Sequence, residues 1–190
     1  YKIFQNKFFP SKKGGHGGPL PLITISREMG SGGKSTANLV ASYLGKPWTV
    51  YDHELIDKIA KNKKLEEKLT QLVDPKKLPL VDITIAKTFG KRFPHLSGYQ
   101  RHLIKVMTLI GLKGYSIMLG RGANFLFPHA LNIRMICQFD QRIIWQMTYE
   151  HISRSEAIKR IEESDKERKH FVHSLFNHNH CKAYHYDFVI

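Results

Sequence analysis

The run Met29-Gly30-Ser31-Gly32-Gly33-Lys34-Ser35-Thr36 holds the densest chemical signal in the chain. It follows an apolar stretch, Leu20–Ile25, and precedes residues with helical apolar spacing. A glycine-rich turn between a strand and a helix points successive backbone N–H groups at one spot, and the helix start adds positive dipole character. Phosphate is the ligand such a cradle suits. A Gly-Lys-Ser ending strengthens the reading: the lysine reaches the outer phosphates of a nucleotide and the serine hydroxyl can hold Mg²⁺. Gly30, Ser31, Gly32, Gly33, Lys34, Ser35 and Thr36 are therefore the expected nucleotide-phosphate residues. The full pattern begins with glycine, and Glu28 stands in that place here.

Four further features fall at the ends of expected strands or in the helices after them. Asp52 ends the second strand, Gly120-Arg121-Gly122 ends the third, Gln141-Arg142 opens the helix after the fourth, and Asp165-Lys166-Glu167-Arg168 lies on a late helix. Phosphoryl transfer needs positioned cations more than covalent chemistry. Arginine suits that task because its planar fork binds phosphate through two parallel hydrogen bonds.

The elements that must position these groups alternate. Strands are expected at Leu20–Ser26, Trp48–Tyr51, Tyr115–Leu119, Asn132–Gln138 and Tyr186–Ile190. Helices are expected after the glycine loop, with Leu39, Val40, Tyr43 and Leu44 on the buried face and Gly45 as C-cap, and then over Glu54–Lys61, Lys64–Val73, Gln100–Leu112, Asp140–Ile152 and Ser155–Leu175. Residues 75–97 fit neither pattern. Strands alternating with helices predict a three-layer α/β/α sandwich on a five-stranded parallel sheet, whose ligands gather at the carboxyl ends of the strands. Residues 1–19 contain four lysines, no acid and the run Gly14-Gly15-His16-Gly17-Gly18-Pro19, the composition of a flexible basic arm.

The chain has 190 residues, one domain's worth, and 42% of them are hydrophobic, a globular proportion. No apolar run approaches the roughly 20 residues of a membrane helix. No signal-peptide core is present, and two cysteines make no disulfide framework, which together favour a cytoplasmic setting. The net charge of +14 favours anionic partners. Nucleic acid is among them, although no aromatic-interleaved basic stripe supports it. Oligomeric state is not legible.

Several islands, in order over residues 20–190, resemble the cytidylate kinase-like family of P-loop nucleoside monophosphate kinases. They are Ile23-Thr24-Ile25-Ser26-Arg27-Glu28-Met29-Gly30-Ser31-Gly32-Gly33-Lys34, Tyr51-Asp52-His53-Glu54-Leu55-Ile56, Leu119-Gly120-Arg121-Gly122-Ala123-Asn124-Phe125, Asp165-Lys166-Glu167-Arg168 and Tyr186-Asp187-Phe188-Val189-Ile190. The resemblance implies a P-loop nucleoside triphosphate hydrolase fold, ATP with Mg²⁺ as donor and a nucleoside monophosphate, CMP-like, as acceptor. It implies that Lys34, Arg121, Arg142 and Arg168 are catalytic and that Ser35 and Asp52 hold the metal. It also implies that Asp52, Arg101, Arg121, Asp165 and Arg168 face the acceptor. An acceptor-binding insert is expected over about 60–112 and a lid over about 142–160, with Arg154 a lid candidate. Two positions depart from the pattern. Gly122 stands where cytidylate kinases carry an acid, and Leu119 stands where an acid on the third strand assists the metal. A domain of this type is expected to continue past Ile190 into a closing helix.

Two rivals remain open at this level: a nucleotide-binding regulatory module without turnover, and a kinase acting on another small molecule or a nucleic-acid end. His170, His173, His178, His180, Cys181 and His185 form a cluster of metal-type ligands, but without standard zinc spacing they read as polar surface.

Overall fold

The computed structural model describes residues 21–190. The expected basic arm over 1–19 lies outside the described residues. Strand β1 (Leu22–Arg27) leads through the glycine loop into α1 (Gly33–Leu44) and β2 (Thr49–Tyr51). Four helices follow: α2 (His53–Ala60), α3 (Lys63–Gln71), α4 (Pro79–Phe89) and α5 (Gly98–Lys113). Strand β3 (Ser116–Leu119), the short α6 (Ala123–Leu126) and β4 (Leu131–Met135) come next. The chain then runs through α7 (Phe139–Glu150) and α8 (Arg154–Phe176) to β5 (Phe188–Val189).

The five strands form one sheet in the order β2-β3-β1-β4-β5, and every pairing is parallel. Parallel neighbours need crossovers, and the crossovers here are helices, which gives the expected α/β/α sandwich. β1 lies at the centre, pairing Ile25 with Leu119 of β3 and with Ile133 of β4. The carboxyl ends of three strands therefore meet at the glycine loop.

Side chains alternate across β3. Met118 faces a core built from α2, α4, α5 and α8, with Ile56, Phe89, Leu103, Met107 and Phe176. Ile117 and Leu119 face a smaller core with Ile23, Ile25 and Ala37. Helix α5 is the pillar of the larger core, buried from Leu103 to Ile110 apart from Lys105. A capping box starts it: the Gln100 amide donates to Ser97 Oγ (3.2 Å), and the Ser97 amide donates to Gln100 Oε1 (2.9 Å).

Two expectations change. On α1 the buried stripe is Gly33 and Ala37, while Leu39 and Tyr43 are 57% and 84% exposed. The small residues let the helix lie close on the sheet, which turns the larger ones outward. Residues 75–97 are structured, with α4 between two 3₁₀ turns, Pro75–Lys77 and Gly90–His95. Pro79 reads as a breaker in sequence but occupies the first turn of α4, where its missing N–H costs nothing. Among the described residues no helix is long and apolar enough to cross a membrane.

A buried polar contact joins the central strands. Thr24 Oγ1 donates to Asn132 Oδ1 (2.6 Å), and Asn132 Nδ2 donates to the carbonyls of Phe127 (3.2 Å) and Ala130 (3.1 Å), fixing the entry to β4. Thr24→Val keeps the shape but leaves the Asn132 acceptor unpaired. It is expected to lower unfolding free energy by about 1–3 kcal/mol in urea titrations, with an unchanged slope.

Candidate functional site

β1 ends at Arg27 and the chain turns over Gly30 and Gly32, both in the left-handed region (φ +78° and +77°). No side chain caps α1, so the amides at its start are left for an external anion. The loop is braced from below. Arg142, in the first turn of α7 and 5% exposed, donates from Nε to the Met29 carbonyl (2.6 Å). It also binds Glu28 Oε2 (3.4 Å) and Asp165 Oδ2 (2.5 Å). Glu28 in turn meets Arg134 of β4 (3.4 Å) and accepts from the Cys137 amide (3.3 Å). The acid at the pattern's first position is thus a post between two buried arginines. A side chain at Gly30 would strike the Arg142 backbone oxygen at 2.9 Å, so the loop and α7 are in direct contact.

Lys34, in the first turn of α1, pairs with Asp52 Oδ2 at 3.1 Å. Asp52 also caps α2, accepting from the Leu55 amide at 2.9 Å. Burial pushes the Asp52 carboxyl up, but the Leu55 amide and Lys34 outweigh it and hold the group below its ordinary value. It is therefore ionised. Ser35 stands beside Lys34 in the same turn. A hydroxyl and an ionised carboxylate are hard oxygen donors of the kind Mg²⁺ takes.

A cavity of about 420 Å³ opens next to the loop, lined by Arg27, His53, Asp57, Arg121, Arg168 and Phe171 among others. Three guanidinium groups share it. Arg121, held in the left-handed region at φ +60°, pairs with Asp57 and stacks 4.9 Å above the Phe171 ring. Tyr99 steadies Asp57 through a 3.0 Å hydrogen bond. The Nε of Arg121 is buried and unpartnered among the described residues. Arg168 donates to the Arg27 carbonyl (3.3 Å) and lies 3.8 Å from Asp165. Arg27 packs between two glycines: a Cβ at Gly33 would sit 2.8 Å from its Cγ, and one at Gly120 would overlap its Nη1. Burial first, then Arg168 and Arg121, lower its guanidinium to about 10. His53 Nδ1 lies 3.4 Å from Arg27 Nη2, and burial followed by the Arg27 and Arg121 charges holds the imidazole below its ordinary value. Glu54 and Glu167 line the cavity as well, but Arg27 has no carboxylate at ion-pair distance among the described residues, and with the orphaned N–H of Arg121 it offers donors that an anionic, phosphate-bearing ligand can take.

The structure brings together the glycine loop, Lys34, Ser35, Asp52, Arg121 and Arg168. Arg142 and Asp165 belong to the brace: each spends its charge on internal partners beneath the loop. Arg101 is elsewhere, donating to the carbonyls of Pro94 (3.0 Å) and Leu96 (2.5 Å) beside a separate cavity with Asp82 and Phe93. Arg154 pairs with Asp140 at the surface (2.9 Å). Sequence reasoning assigned no role to Arg27, His53 or Asp57. Their neighbours come from β3, α5 and α8, far away in the chain, and no spacing rule reveals that.

The two departures acquire reasons. Gly122 has φ +69°, and a Cβ there would lie 2.7 Å from the Phe176 ring. Leu119 is 1% exposed in the smaller core. Neither position has room for an acid. The histidines separate as well: His178 stacks on Phe125 (4.7 Å between ring centres), while His180 is buried with Nε2 3.8 Å from Cys181 Sγ. Among the described residues no group of three or more His, Cys, Asp or Glu could hold a metal ion.

Gly122→Asp combines backbone strain with a clash and is expected to destabilise the fold by about 2–4 kcal/mol, measured by chemical denaturation. A second prediction concerns acid. Burial, then the Arg134 charge, lower His180 from 6.5 to about 4. Between these values the unfolded chain binds a proton that the fold refuses. Stability is therefore full above about pH 6.5 and declines as pH falls toward about 4. Thermal midpoints measured across that window are expected to fall more steeply for the wild type than for His180→Phe.

Comparison with known proteins bears on this site. No curated protein matches the chain in sequence. The crystal structure of an uncharacterized protein from Eubacterium ventriosum superposes with a TM-score of 0.58 at 19% identity, covering 89% of this chain and 86% of that one. TT1252 from Thermus thermophilus aligns at 20% identity over 80% of this chain and 85% of that chain, with a TM-score of 0.43. The first likeness extends the fold, not the function. The model of the cytidylate kinase-like family matches residues 22–190, from the first residue of β1 through β5. On that match, the chain belongs to the cytidylate kinase-like family.

Proposed function

We propose that this protein transfers the γ-phosphoryl group of ATP to a nucleoside monophosphate, with a CMP-like acceptor favoured. The observation that carries the reading is the joining of an uncapped phosphate cradle to a cavity holding Arg27, Arg121 and Arg168. A phosphate cradle alone needs one ligand. A second cationic chamber at its edge supports a second phosphate.

In this reading the loop amides and Lys34 hold the donor phosphates. Ser35 and Asp52 would hold Mg²⁺, which would supply positive charge to the donor phosphates. Arg121 and Arg168 hold the acceptor phosphate. That phosphate is already anionic and needs no strong base, so the protein's work is alignment, charge neutralisation and water exclusion. Helices α2 to α5 wall the acceptor side, and the α7–α8 hairpin serves as the lid region. A cytoplasmic setting belongs to the same reading, since Cys137 and Cys181 are both free thiols.

Turnover with ATP, Mg²⁺ and a panel of monophosphates tests it. Lys34→Ala is expected to lower kcat by at least about 100-fold while leaving the thermal midpoint near that of the wild type. ATP binding without turnover of any acceptor would overturn the proposal in favour of a regulatory nucleotide-binding module. Turnover confined to nucleic-acid ends, with steep salt dependence, would move the acceptor to a polynucleotide.

A further inference from the structure

Arg27 is given no role by the reading of the sequence, yet it occupies the seam between the two chambers. It is the last residue of β1 and so belongs to the donor loop. Its guanidinium crosses to the acceptor side, where Nη1 lies against Gly120, the residue before Arg121. Two glycines shape this path. Gly33, the first residue of α1, leaves room for the stem, and Gly120, at φ +86°, leaves room for the head. The cation also has no direct carboxylate partner: among the described residues none reaches ion-pair distance of it, Asp52 acts on it only from further away, and its side-chain hydrogen-bond partner is His53 Nδ1. By contrast, Arg121 has Asp57 and Arg168 has Asp165.

We propose that Arg27 is a catalytic residue that contacts the transferring phosphoryl group and the acceptor phosphate together, an arginine supplied in cis by the donor loop. The inference rests on the phosphotransfer reading above. In the step itself, the bond from the γ-phosphorus to the β–γ bridging oxygen breaks and its electron pair stays on the departing diphosphate. An oxygen of the acceptor phosphate forms the new bond to phosphorus, and no proton need move. Negative charge on the equatorial oxygens then lies between the loop and Arg121, in the gap that Arg27 spans. A guanidinium can bridge two oxygens of different groups, whereas an ammonium is a point charge. The repulsion that Arg27 feels from Arg121 and Arg168 is relieved when two phosphates enter, and most fully when they are joined.

The test uses Arg27→Ala and Arg27→Lys. With the acceptor that turns over best, Arg27→Ala is expected to lose about a thousandfold in kcat, and Arg27→Lys most of that. Both should melt at a temperature similar to the wild type. Low-millimolar guanidinium should restore at least about tenfold of the lost rate to Arg27→Ala, and methylammonium should not, because only the first has the planar fork. Unchanged kcat in both variants would overturn the proposal, as would a loss that follows the melting temperature without rescue. Calorimetric titration with inorganic tripolyphosphate adds a readout independent of turnover: Arg27→Ala should bind it at least about tenfold more weakly. If the wild type turns over no acceptor, the phosphotransfer reading fails. The titration still separates the two claims, because equal tripolyphosphate affinity would then remove Arg27 from the phosphate site as well.

Discussion

The buried guanidinium of Arg142 holds three parts of the chain in register. Its contacts reach the loop through the Met29 carbonyl, the loop's base through Glu28 and the long helix α8 through Asp165. Taking a charge this deep costs several kcal/mol unless each donor is met. Here the acceptors come from β1's exit and from α8, so the arrangement exists only when α7 is docked against both. Glu28 is the counterpart, receiving Arg134 as well as Arg142. The backbone turn of the glycine loop inherits its shape from this pair. Loss of one partner would strand the other's charge in the interior.

Above this brace the pairing of charges changes. Beneath the loop each buried cation has a carboxylate; the cavity holds Arg27, Arg121 and Arg168 with Glu54, Asp57 and Glu167, and of its three arginines Arg27 is the one with no carboxylate at ion-pair distance among the described residues. Arg27 has a lowered affinity for a proton, set first by burial and then by two neighbouring arginines. His53 is held below its ordinary value in the same way, first by burial and then by Arg27 and Arg121. A guanidinium left without a carboxylate partner is stabilised by an anion arriving there, and the open helix start of α1 points to the same class of ligand.

Much of the fold was legible because its signals are local. Apolar runs ending in Gly or Asp mark parallel strands, helical spacing marks α5 and α8, and a glycine-rich turn between strand and helix marks the loop. The failures have particular causes. Leu39 and Tyr43 look like a buried face only while α1 is taken alone. Once Gly33 and Ala37 lie against the sheet, the larger residues are turned out. Pro75 and Pro79 look like breaks, yet one opens a 3₁₀ turn and the other opens α4, because a proline's missing N–H is harmless at a helix start.

The site divides along the same line. Spacing alone placed Lys34 and Ser35 on one helical turn, put Asp52 at the end of a strand, and marked Arg121 and Arg168 as cations following later strands, since these follow from the chain's own periodicity. Only the tertiary structure decided which arginines support and which remain open. Arg142 and Arg168 are similar charges in sequence. The first is enclosed with its donors committed to Glu28, Met29 and Asp165, and the second lines the cavity. The reason is that a side chain's chemistry depends on its burial and its partners. Those are set by contacts between residues more than a hundred positions apart, as with Glu28 and Arg142, which no local pattern encodes.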